Sequence, residues 1–247
     1  MSSVIAGEWR KAWTGRAWWV PAAIGIFMSF LASLGYATQG DQGITEGQTT
    51  AATVTDDIVR AWMMMLLFSS LLGAILTSRE YATGTITRSV LLSGSRRRLF
   101  SAKLVVATAM GVLYGLLTVG LAVASGWGMM ARFGREPEWT HETWLIVLGV
   151  FLCTALSAPW GTFLGWIIRN QIGAVGTLMA LTLLLDPALQ RLFPAGAKYL
   201  LTIAMSSVYR DGKPELLSEP VALVVIAGWL AVAWLVARKL FTSRDVA

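Results

Sequence analysis

The sequence predicts an all-α integral membrane protein with six transmembrane helices, and three observations carry that prediction. Only 14% of the 247 residues are charged, against 55% hydrophobic, whereas a soluble domain carries roughly a quarter charged residues. Five stretches, residues 17–40, 61–78, 104–131, 143–168 and 220–237, contain no Asp, Glu, Lys or Arg. Each has 18 or more residues, and a helix rising ~1.5 Å per residue needs about 20 to cross a ~30 Å hydrocarbon core.

Residues 3–16 place Ile5, Trp9 and Trp13 four apart on one helical face, with Glu8, Arg10 and Lys11 off it. This predicts an N-terminal amphipathic interfacial helix whose tryptophans dip into the acyl boundary. A first span follows over 18–37, too long for the apolar core of a cleaved signal and without a clean small-x-small site before Asp41. Residues 38–57, rich in Gly, Thr, Gln and acids, read as a flexible polar loop. Span 2 is predicted at 58–78, a strongly basic loop at 79–103, span 3 at 104–130 and span 4 at 143–168. Residues 170–185 are uncharged, but Asp186 and Pro187 end the run. A short fifth span, one or two shallow outer helices, and a sixth span at 219–238 complete the expected single domain, 1–247.

Charge sorts by loop. Residues 1–17, 79–103, 169–171 and 238–247 hold thirteen Lys/Arg against three acids (Glu8, Glu80, Asp245); the remainder holds seven against eleven. The positive-inside rule puts the first group, and both termini, in the cytoplasm. The basic balance is thereby explained by topology and does not require nucleic acid as a partner. Cys153 and His141 are each the only residue of their kind, so neither a disulfide framework nor a thiol or imidazole metal site is expected.

Small residues recur at four-residue spacing: Ser69, Gly73 and Thr77; Gly111 and Gly115; Ser157, Gly161 and Gly165. Such stripes let helix backbones approach closely in lipid. Packing within one subunit is the ordinary reading, and a dimer seam or substrate path the sharper one. Met63, Met64 and Met65 read as lipid-facing residues or core filler, and Arg60 as a side chain that snorkels outward.

The loop from Arg79 to Lys103 carries the functional signal. Glu80 closes span 2, and Gly84 permits a break. Residues 85–92 can form a short helix with Ile86, Val90 and Leu91 facing one way; Ser93, Gly94 and Ser95 form a turn, with Ser95 as N-cap of the next helix, which Arg96, Arg97 and Arg98 lead in. A short helix clamped between two spans, with an apolar edge and several charges, can dock into a groove on a soluble partner and act as a lever.

Glu80, then Gly84 and Thr85, a short helix, a turn, Arg96 to Arg98 and Lys103 resemble, in order and approximate spacing, the first cytoplasmic loop of the ABC-2 family of transporter permeases. Gly94 and Ser95 stand where that family usually has a proline. The similarity extends to the entry helix, the six spans, a second cytoplasmic turn at Arg169, Asn170 and Gln171, and the outer helices. The resemblance implies the membrane subunit of a bacterial cell-membrane exporter rather than an enzyme. Two permeases, identical or sister chains, would pair with two cytoplasmic ATPase subunits, whose closure presses on the coupling helix. This chain has no G-x-x-x-x-G-K-[ST] phosphate loop, so ATP and Mg are expected on the partner and no cofactor here. Glu80, Gly84, Thr85, Arg88 and Ser89 are the expected ATPase contacts. Arg96, Arg97, Arg98 and Lys103 are a basic inner anchor, either on lipid headgroups or on the ATPase. Small permeases of this family export drugs, peptide antibiotics or lipid-linked molecules.

Two other readings stand beside this one. The chain could recruit a cytoplasmic partner through its basic loop without transporting anything. Alternatively, Glu136, Glu138, His141 and Glu142 could perform acid–base chemistry. Asp186 abuts the apolar end of span 5, where it is expected to cap the helix in headgroup water.

Overall fold

Two helices that touch backbone to backbone form the centre of the bundle. In a computed structural model describing residues 1–244, α4 (Met65–Ala82) lies against α7 (His141–Ile168) along the predicted small-residue stripes. A Cβ built on Gly161 would stand 1.7 Å from the Ser70 carbonyl oxygen, and one on Gly73 2.0 Å from that of Ala158. Ser69 Oγ donates to the Thr154 carbonyl across the same seam at 2.7 Å. Pro159 lies inside α7 and has no N–H for the Ala155 carbonyl. That carbonyl faces Gly111 of α6 (Arg96–Arg132), where a Cβ would sit 2.4 Å away. The stripes therefore serve packing within one subunit.

Around this pair stand the remaining elements. α1 (Ser2–Trp13) and α2 (Trp19–Thr45) come first, then α3 (Ala51–Arg60), which joins α4 through a 3-10 turn at Ala61–Met64. The short α5 (Ile86–Ser93) separates α4 from α6. After α7 come α8 (Gln171–Ala180), a π turn at Leu181–Leu185, α9 (Asp186–Leu192), α10 (Pro194–Ala197), α11 (Leu201–Val208) and α12 (Glu219–Ser243). Six helices or continuous helical runs are long and apolar enough to cross a membrane: Trp19–Thr45, Ala51–Ala82, Arg96–Arg132, His141–Ile168, Gln171–Leu192 and Glu219–Ser243. No strand occurs among the described residues. At ~1.5 Å per residue, α6 is about 55 Å long and overshoots a ~30 Å hydrocarbon core.

Three expectations are corrected. The loop expected at 38–57 is mostly helical, because α2 runs to Thr45 and α3 begins at Ala51, capped by the Thr50 hydroxyl. Tertiary packing overrides the polar composition there: Ala37, Val54, Ile58, Met129 and Met130 form a buried cluster, and Gly40 leaves room for Val54. The fifth span does not stop at Asp186. The π turn carries it through Pro187 to Leu192, with Asp186 buried and accepting a hydrogen bond from Thr202, so it is no headgroup cap. Arg60 pairs with Asp57, one helical turn earlier. Met65 is core, whereas Met64 is exposed. Asp245, counted above with the basic side, lies outside the described residues.

Candidate functional site: the basic end of the bundle

The segments grouped by charge meet at one end. Arg79 Nη2 donates to the Lys11 carbonyl at 2.5 Å, Arg169 Nη2 to the Leu240 carbonyl at 2.8 Å, and Arg96 Nη1 to the Arg244 carbonyl at 2.6 Å. Acids gather at the other end, where Arg135 Nε meets Asp41 at 2.5 Å and Arg210 pairs with Glu142 and Glu219. The hydrogen bond to Glu142 raises the pKa of Arg210.

The loop between α4 and α6 adopts the turn chemistry its residues dictate. Gly84 (φ +67°) ends α4's extension and Gly94 (φ +75°) ends α5, both left-handed. Ser95 caps α6, its hydroxyl accepting from the Arg98 N–H at 3.3 Å. α5 buries one edge: Ile86 joins Leu99, Phe100, Phe163, Trp166 and Phe241 in an aromatic-rich cluster. Val90 packs partly against it, but Leu91, expected on the same edge, points outward. Leu91 and Leu92 are 76% and 75% exposed, alongside exposed Gly84, Thr85 and Arg88.

Beneath α5 four charges close a ring. Lys103 Nζ donates to Glu8 at 2.7 Å and to Glu80 at 2.9 Å; Lys11 Nζ donates to Glu8 at 2.6 Å and to Glu80 at 3.0 Å. Lys11 also donates to Ser89 Oγ at 3.0 Å, which ties α5 to the ring. Glu8, Glu80 and Lys103 are each about 95% buried. Two positive and two negative charges cancel, which is the condition for keeping ions out of water. Burial opposes the Lys11 charge, but the hydrogen bond to Glu8 and the attraction of Glu80 outweigh it, so its pKa lies above the usual lysine value. An open groove of about 490 Å³ borders the ring, lined by Lys11, Arg79, Glu80, Thr83, Thr85, Arg88, Ser89 and Leu92.

The expected contact residues thus divide. Gly84, Thr85 and Arg88 are exposed, while Glu80 and Ser89 are buried and hold α5 in place. The expected anchor divides too: Lys103 is buried in the ring, Arg96 donates to the carbonyls of Phe241, Thr242 and Arg244 at the end of α12, and Arg97 and Arg98 are exposed. Arg169 takes a left-handed turn (φ +57°) with its guanidinium 5.5 Å from the Tyr81 ring centre, and Asn170 caps α8 by accepting from Gly173 N at 2.8 Å. Glu8 and Lys11, read in the sequence as the wet face of α1, are the two ring members that sequence reasoning missed. Their opposite charges three residues apart, beside an unpaired Glu80 and Lys103, were the available signal.

The profile of the ABC-2 family transporter proteins matches residues 4–185. The chain belongs to the ABC-2 transporter family. The match takes in α1, the ring, α5 and the first four spans, and it ends in the π turn before α9. Among curated proteins, none matches the chain. As a member of the ABC-2 family it is a multi-pass membrane subunit of an ABC transporter, a class that works with an ABC ATPase.

Proposed function

We propose that this chain is an exporter permease of the bacterial cell membrane, driven by ATP and Mg bound to a separate ATPase chain. Two copies of that ATPase serve two permeases, identical or sister chains. The cargo is an amphipathic molecule: a drug, a peptide antibiotic or a lipid-like compound. The basic end and both termini face the cytoplasm, in line with the positive-inside rule.

One observation supports the coupling role above all. α5 presents Leu91, Leu92, Arg88 and Thr85 to solvent while Ile86 and Ser89 lock its other face to the bundle. An exposed apolar pair flanked by cations is the chemistry of a docking element rather than of a solvated turn. Force on α5 reaches α1, α4 and α6 together, since Ser89 bonds Lys11, Lys11 bonds Glu8 and Glu80, and both acids bond Lys103 of α6. In this reading Gly84, Thr85 and Arg88 touch the ATPase, and Glu80 and Ser89 act one layer beneath.

Coexpression with its ABC ATPase tests the proposal. A stable complex is expected, and Arg88→Glu combined with Leu92→Asp lowers its permease-dependent ATP hydrolysis at least several-fold, with the fold intact. ATP hydrolysis that ignores both the permease and the double variant would overturn it.

A further inference from the structure

Asp186 is the only acid in the apolar run Gln171–Leu192. It is also the only buried residue from Leu183 to Leu189; its neighbours Leu185 and Leu189 remain 48% and 38% exposed. The π turn at Leu181–Leu185 explains this inversion. Its additional residue shifts the helical phase by about 100° and turns the carboxylate off the apolar face towards α11.

There the carboxylate accepts one hydrogen bond, from the Thr202 hydroxyl, and among the described residues it belongs to no ion pair. A carboxylate has about four acceptor positions, and an uncompensated acid in a spanning segment is costly. The buried ring at the basic end shows the contrast, since each of its acids meets two lysines.

We infer that Asp186 is a binding site for the charged group of a lipophilic organic cation, and that the exported cargo is of this class. A lone acid in an otherwise apolar spanning run favours a cation that carries its own apolar surface over a hydrated metal ion. Thr202 then positions the carboxylate and Asp186 supplies the counter-charge.

The cargo role rests on the exporter reading, but the binding site does not, and the test separates them because it contains no ATPase. Saturable binding of tetraphenylphosphonium and of tetraphenylborate, ions of matched size and opposite charge, is measured on the full chain in nanodiscs of neutral lipid. The wild type is expected to bind the cation at least fivefold more tightly, against the sign of its own net charge of +6. Asp186→Asn keeps a hydrogen-bond acceptor for Thr202 and should erase that preference, whereas Thr202→Val should keep it. An Asp186→Asn chain that still prefers the cation overturns the inference. So does a wild type without the preference, which decides the matter even where the variant fails to fold.

Discussion

Lys103 Nζ and Glu8 Oε2 lie 2.7 Å apart, 95 residues apart in the chain, with both side chains almost wholly out of solvent. This pair and its three companion contacts join α1 to the α4–α6 hairpin at the point where α5 sits. Taking one charge from such a ring leaves a buried charge of the opposite sign in excess, and breaking a buried pair in this way typically costs about 3–5 kcal/mol.

Lys103→Met should therefore lower the thermal midpoint of the purified chain sharply. The double variant Glu8→Gln with Lys103→Met should recover most of that loss, because Lys11 and Glu80 remain a neutral pair. Thermal unfolding of Lys103→Met, Glu8→Gln and the double variant checks this. Additive losses would mean that the two residues are not coupled.

Gly161→Ala should destabilise by more than the usual ~1–3 kcal/mol of overpacking. The new methyl would meet the Ser70 carbonyl, which belongs to backbone and cannot rotate aside. Gly120 has nothing within 4 Å of a built Cβ, so Gly120→Ala should be neutral or gain up to ~1 kcal/mol of helix propensity. Paired melting curves distinguish the two.

Lys11 gives a pH dependence of known sign. Its folded-state pKa lies above the ordinary 10.5, so its charge stabilises the fold fully below that value, and the benefit fades as pH climbs through the raised folded pKa. The difference in melting temperature between wild type and Lys11→Met should stay constant from neutral pH to about pH 9.5 and shrink above 10.5. A difference that grows with pH would contradict the pairing with Glu8 and Glu80.

Arg96 closes the open carbonyls at the end of α12, where a cation is worth about 0.3–1 kcal/mol. Arg96→Ala should speed amide exchange at residues 239–244 and leave the core of the bundle unchanged. Arg97→Ala, at an exposed neighbour with the same charge, should leave exchange unchanged at residues 239–244 and in the core.

Much of this molecule is legible in its residues alone. Gly84, Gly94 and Ser95 signal the ends of α5 because a left-handed turn favours glycine and a helix start favours a hydroxyl. The stripes through Gly73, Gly111 and Gly161 signal close helix contacts for an equally local reason, the absence of a side chain. Residues 38–57 misled because their polar composition describes a solvated loop, whereas Gly40 and Val54 interlock only once α2 and α3 stand side by side. Pro187 misled because a proline ends a regular helix, and the π turn that accommodates it has no sequence signature of its own.

By itself the sequence determined the membrane class, the six apolar runs, the division of charge between two ends and the clamped short helix, since hydropathy, helical rise and turn sterics are local properties. Only the tertiary structure decided which charges find one another. Glu8 and Lys11 look like the wet face of a surface helix until Glu80 and Lys103 arrive from 69 and 95 residues away to neutralise them, because the cost of burying an ion depends on what surrounds it.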